Sequence, residues 1–245
     1  MKTWQRILIL SLLAVICIGM IVIHSVVVPQ RANKVCNQVR VVIADSAKYQ
    51  FLTPKGVETY IKNQGIYPIG KTIADIDLTE IERALNEINM VKTATAYFNG
   101  NGNLKIKITQ RVPLFRVKTS NADFYVDTNR RRMPISSRHT VLVPIVTGSA
   151  DEEFATGELY NFMEYIIESS RWATAFTQIH VYPNREIELI PRVGDFTIEL
   201  GNLDRYPQKL GKLDIFLKKI PKYKSWDAYR TINLKYQDQV VCTRR

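Results

Sequence analysis

One stretch constrains this chain more than any other. Residues 7–28 read ILILSLLAVICIGMIVIHSVVV, with no Asp, Glu, Lys or Arg. As a helix rising roughly 1.5 Å per residue, such a run reaches about 33 Å, enough for a hydrocarbon core of about 30 Å. The competing reading is a cleavable signal peptide, whose apolar region is about 7–15 residues and ends at a small-residue cleavage site. Here the run is longer and is closed by Ser25, three valines and Pro29, without an A-x-A pattern. Cys17 follows Val15 and Ile16, not the small residue that a lipid-attachment cysteine requires. The expectation is an uncleaved transmembrane helix over 7–28, preceded by a short tail over 1–6 and followed by a polar, basic spacer over 29–37.

Orientation follows less from charge than from length. Lys2 and Arg6 precede the run, while Arg31, Lys34 and Arg40 follow it, so positive-inside counting hardly separates the sides. A long C-terminal portion translocates largely regardless of charge, which puts the short tail in the cytoplasm. In a bacterium, residues 29–245 would then lie outside the cytoplasmic membrane. That portion keeps 32 of the 34 basic residues and all 23 acidic ones, a net +9. Such a balance suits an anionic lipid surface, an acidic partner or plain solubility; export makes nucleic acid a poor fit. Cys36 and Cys242 would share an oxidising compartment, where they either pair or remain separate thiols.

Beyond the spacer, the periodicity predicts an α+β arrangement. Residues 38–44 read as a strand. Thr53-Pro54 starts a helix as cap and first-turn proline, with Val57, Tyr60 and Ile61 on one face and Gly65 at its end. Asp77 caps a second helix, with Glu80 three residues on and a stripe of Leu78, Ile81, Leu85 and Ile88. Strands at 91–98 and 104–109 flank the turn NGNGN at 99–103. The order strand-helix-helix-strand-strand fills one domain over 38–112. From 113 to 245 short strands dominate, at 114–118, 124–127, 178–182, 186–190 and 196–200. Two amphipathic helices interrupt them. One carries Leu159, Phe162, Met163, Ile166 and Ile167; the other spans about 204–219, carries Leu210, Leu213 and Leu217, and is stopped by Pro221. This is a second, sheet-rich domain.

No constellation for catalysis emerges. His139 and His180 stand in unrelated contexts, and no H-E-x-x-H, G-x-S-x-G or serine-x-x-lysine pattern occurs. Gly100 and Gly102 fall in a turn between strands and lack the third glycine of a phosphate loop. Asp195 after Gly194 reads as a turn residue, and Arg130-Arg131-Arg132 as a solvated hairpin tip or a phosphate contact. The expectation is no enzyme, no cofactor and no metal site.

The arrangement resembles the FtsQ/DivIB family of bacterial cell-division proteins, with a strand-helix-helix-strand-strand module similar to the POTRA fold. IKITQRVP at 106–113 is similar to the family's exit from that module: a strand, a polar or acidic residue, arginine and then proline. FYVD at 124–127, VPIVTG at 143–148 and VGDFTIELG at 193–201 resemble successive elements of its β domain, and INLKY at 232–236 sits where members carry Asp-Leu-Arg-Tyr. Asn233 and Lys235 depart from that pattern, as does Asn129-Arg130 from a glycine turn. The resemblance spans residues 7–245 and implies a non-enzymatic scaffold at the inner membrane and midcell. It further implies contacts to the bitopic division proteins FtsB and FtsL, with FtsB adding a strand to the last strand of the β domain. Carried onto this chain, that edge is Gln239, Val240, Val241, Cys242 and Thr243, with Val240 and Cys242 on one face and Val241 on the other. Tyr236 is then an aromatic anchor on the preceding strand. Alternatively, the segment merely closes the sheet and Tyr236 lies in the core. Two other readings stay open: a POTRA-bearing envelope-assembly factor and a signal-anchored cell-wall enzyme.

Overall fold

The computed structural model of the protein describes residues 3–22, 33–219 and 228–245. Helix α1 spans Thr3–Val22. It contains residues 7–22 of the apolar run, about 24 Å of helix against a hydrocarbon thickness of about 30 Å. Among the described residues no helix is long and apolar enough to cross a membrane, and the transmembrane element expected over 7–28 continues past the last described residue of α1. Residues 23–28 of that span, 29–32 of the spacer and the Pro221 helix stop lie outside the described residues. The chain divides into two compact units, 1–110 and 111–245.

In the first unit a three-stranded sheet has the order β1 (Val39–Ile43), β3 (Leu104–Gln110), β2 (Val91–Phe98). β1 runs parallel to β3 and β2 antiparallel to it. Parallel neighbours need a long crossover, and the chain supplies it with α2 (Pro54–Asn63) and α3 (Leu78–Asn86). Thr53 caps α2 by accepting the Gly56 N–H at 3.1 Å, and Gly65, at φ 74°, ends it with the Ile66 N–H on the Ile61 carbonyl. The Asp77 carboxylate accepts from Thr79 and Glu80 at the start of α3. Val57, Ile61, Ile81 and Leu85 then bury against Val41, Leu104, Ile106 and Ile108. Lys34 and Cys36, which belong to the spacer by sequence, already hydrogen-bond through their main chains to Ile73, Gly70 and Lys71.

The second unit is built on a nine-stranded sheet of order β12-β11-β10-β9-β8-β7-β4-β5-β6. Its strands are β4 (Pro113–Lys118), β5 (Asp123–Asp127), β6 (Arg132–Pro134), β7 (Ile145–Gly148), β8 (Phe176–Val181), β9 (Ile187–Pro191), β10 (Thr197–Gly201), β11 (Tyr229–Asn233) and β12 (Val241–Arg244). Pairs β4/β7, β7/β8 and β10/β11 are parallel; the others are antiparallel. The helices sit at crossovers, as parallel pairing demands. α4 (Glu152–Thr156) and α5 (Glu158–Glu168) join β7 to β8, and α6 (Tyr206–Lys219) lies between β10 and β11. Phe162, Met163 and Ile166 of α5 and Leu210 and Leu213 of α6 share one core with Phe115, Val146, Ile179, Leu189, Ile198 and Ile232 of the strands.

Two consecutive residues close the two units. The Gln110 side chain, fully buried, donates to Asp45 and to the Tyr49 carbonyl and accepts the Leu52 N–H. Arg111, buried in the other unit, pairs with Asp127 at 2.7 Å and donates to the carbonyls of Arg131 and Arg132 at 3.0 and 2.8 Å. Asp127 also accepts the N–H groups of Asn129 and Arg131, so the turn at 128–131 is built around one buried carboxylate. Tyr160 of α5 reaches the same turn, donating to the Thr128 carbonyl and to Glu164. Burial, and then the Glu164 carboxylate, push its phenol up to about 12.

Candidate functional site

Strand β12 ends the nine-stranded sheet. It pairs antiparallel with β11 alone, Asn233 opposite Val241, Ile232 opposite Cys242 and Thr231 opposite Thr243. Its other edge faces no strand among the described residues. The strand holds by alternation: Cys242 packs against the core with Val240, while Val241 is 42% exposed. Burial raises the Cys242 thiol above the ordinary range. Cys36 is buried, Cys242 half-buried, and both are free thiols. At the C-terminus the Arg245 main-chain N–H reaches the Ala228 carbonyl, and its guanidinium grips Asp195.

The expected site residues are distributed differently from the sequence reading. Gln239 and Val240 precede the strand; Val241, Cys242 and Thr243 are in it, and Arg244 extends it. Tyr236 is not on the preceding strand, because β11 stops at Asn233. Nor is it core: the residue is 51% exposed, in the connection between β11 and β12. The cause is Lys212 of α6. Its ammonium donates to the carbonyls of Leu234, Tyr236 and Gln239, which ties the connection between β11 and β12 to α6. Periodicity within 230–245 carries no trace of a lysine more than twenty residues upstream, so sequence alone extends the strand too far.

The departures at 233 and 235 find partners on the sheet surface. Asn233 donates to Glu199 at 2.5 Å, where an aspartate would meet like charge. Its own oxygen accepts the Lys235 N–H, turning the chain out of β11. Lys235 donates to Glu186 at 2.9 Å; that bond raises the Lys235 pKa and holds the Glu186 carboxyl below its usual value.

Of the three other strand edges, two are protected, while β1 pairs with β3 alone. β6 is three residues long, begins in a run of arginines and is ended by Pro134, a common way of blunting an edge. In the first unit, α3 lays two side chains along the outer edge of β2. Asn86 accepts the Ala94 N–H at 3.0 Å, and Glu82 accepts the Ala96 N–H at 2.6 Å. A four-residue spacing on a helix lines up with a two-residue spacing on a strand, so the outward N–H groups of Ala94 and Ala96 are both satisfied. Sequence analysis did not single out this pair, because helical periodicity alone does not show which strand lies beside α3.

His180 hydrogen-bonds Thr147 at 3.1 Å and packs edge-on to Tyr182. Among the described residues no group of three His, Cys, Asp or Glu is arranged to hold a metal. The triple arginine is divided among structural tasks: Arg130 takes a left-handed conformation at the hairpin tip, Arg131 supplies a carbonyl to Arg111, and Arg132 pairs with Glu152.

Comparison with known proteins agrees with this division of the chain. A POTRA-like domain model matches residues 34–109, and the model described as FtsQ/DivIB, C-terminal related, matches residues 112–243. No curated protein sequence matches at a significant level. Because the second match alone covers more than half of the chain, the protein belongs to the FtsQ/DivIB family, whose members are non-enzymatic division scaffolds.

Proposed function

We propose that the protein is a membrane-anchored scaffold of the bacterial division machinery that receives a partner chain as an added strand on β12. The observation that carries this reading is the contrast between edges. In the nine-stranded sheet β6 is short and proline-ended whereas β12 has a neighbour on one side only; in the three-stranded sheet β2 is capped by Asn86 and Glu82 while β1 pairs with β3 alone. An open ladder is a template for a second backbone, with main-chain bonds giving affinity and alternate side-chain pockets giving specificity. Tyr236, in the connection that Lys212 holds just before β12, is an exposed aromatic available to such a partner. Family membership favours division proteins as partners, and FtsB- and FtsL-type bitopic chains are the ones proposed. The apolar run over 7–28 supports anchoring in the inner membrane with the two folded units outside.

Successive residues of an antiparallel edge point their main-chain groups alternately inward and outward. Proline at the outward position removes a donor from the incoming strand's partner and leaves β11 pairing intact; proline at the inward position breaks the β11–β12 ladder. Of Val241→Pro and Cys242→Pro, the variant that keeps its thermal transition loses capture of an FtsB-type partner. Undiminished capture by that variant refutes strand addition at β12. In cells, a full-length fluorescent fusion collects at midcell and depletion gives filaments; uniform membrane distribution with normal septation refutes the division role.

A further inference from the structure

The three strands of the first unit carry four charged residues, Arg40, Lys92, Lys105 and Lys107, and all four are positive. Every Asp and Glu between residues 34 and 110 lies instead on a helix, a turn or a loop. One face of the sheet is buried beneath α2 and α3. Alternation sends Arg40, Lys105 and Lys107 to the other, with Val42, Thr95 and Tyr97. The register gathers them: Arg40 stands opposite Lys105, Lys105 opposite Tyr97, and Lys107 between Val42 and Thr95. Adjacent strands are about 4.8 Å apart and same-face neighbours about 7 Å along a strand, so the three cations fall within roughly one Debye length at physiological salt. Like charges on directly paired strands repel. None of the three has an ion-pair partner among the described residues, and the Lys105 ammonium rests 5.7 Å from the centre of the Tyr97 ring. Such a face keeps its repulsion unless an anion relieves it.

We propose that this helix-free sheet face seats on anionic phospholipid headgroups. The inference rests on the membrane anchoring proposed above. Arg40 follows the end of the apolar run by only 12 residues, a span of at most about 40 Å, so a bilayer surface is always within reach of the face. The intervening sequence adds Arg31 and Lys34 to the same side of the charge balance. Three cations on a threonine-lined sheet, with a tyrosine beside them, suit a laterally mobile layer of phosphates, because the lipids can adjust to the side-chain spacing. A cation beside such a layer gains about fivefold in local binding.

The test uses the full chain in nanodiscs of phosphatidylcholine, alone or with a third phosphatidylglycerol. Acylation of Lys105 and Lys107 is read by peptide mass spectrometry, with Lys55 of α2 as the internal reference. Lys107 labelling falls about fivefold in the anionic discs and recovers in high salt or in the Arg40→Glu variant; Lys55 does not change. Equal labelling of Lys107 in both discs overturns the lipid assignment and leaves the anchor standing. A chain that never enters the discs overturns both. Protection by added polyglutamate, with none from phosphatidylglycerol, reassigns the face to an acidic protein and overturns the proposal as well.

Discussion

The buried pair at the start of the second unit yields the sharpest quantitative expectation. Replacing Asp127 by alanine strands the Arg111 guanidinium, of which almost nothing reaches solvent, and removes the acceptor for two turn N–H groups. Breaking a buried ion pair from one side costs about 3–5 kcal/mol. Against a typical domain stability of about 5–15 kcal/mol, that is a large share. For a unit of this size it corresponds to a fall in Tm of roughly 10–20 °C. Tryptophan fluorescence isolates the relevant transition, because Trp172 is buried in the second unit and residues 33–110 contain no tryptophan. Replacing both partners by apolar residues, Arg111→Met with Asp127→Leu, recovers much of the loss, since no lone charge then remains inside. A single Asp127→Ala variant within about 1 kcal/mol of the parent refutes the reasoning, and so does a double variant no more stable than the single.

Gly148 ends β7 at φ 86°, and a Cβ there would stand 2.1 Å from the Val181 carbonyl oxygen. Gly148→Ala therefore lowers the stability of the second unit by at least about 1–3 kcal/mol in chemical denaturation, whereas Gly100→Ala, with open space and no positive φ, leaves it unchanged. The raised Cys242 thiol gives a pH signature: its alkylation, followed peptide by peptide, rises on the alkaline side of an exposed thiol, and a profile matching free cysteine refutes its burial. Because the folded chain holds that proton more tightly, its contribution to stability is complete below the unfolded thiol pKa and is lost as pH rises through the folded one. Asp123 has the opposite sign. The Arg116 hydrogen bond holds its carboxyl down, so its contribution is present above the unfolded pKa and is lost as pH falls through the folded one.

Local chemistry was legible from residues alone. Thr53-Pro54, Asp77 and the NGNGN turn specify structure through their nearest neighbours, and each does in the fold what its side chain dictates. The alternation of Leu104, Ile106 and Ile108 identified the buried face of β3. Where the outcome depends on residues far apart, the pattern was silent. Nothing within β7 says that it separates β4 from β8, or within β10 that it lies parallel to β11. The true start of β12 and the position of Tyr236 depend on Lys212, and the turn after Asp127 depends on an arginine sixteen residues earlier. The resemblance pointed to the Gln110-Arg111 stretch as a motif without supplying a reason. Its reason is that each side chain satisfies buried polar groups of a different unit.

A protein that leaves a ladder unfinished faces a hazard before any companion arrives, because sister molecules carry the same unfinished ladder. Here the exposed ribbon is four residues long and finishes in Arg244 and Arg245. Two sisters meeting along it would bring the charge of each Arg244 to a handful of main-chain bonds, Arg245 being already held by Asp195. Brevity limits what such a mispairing could gain, and repulsion subtracts from the remainder. Both effects weigh against self-pairing along β12.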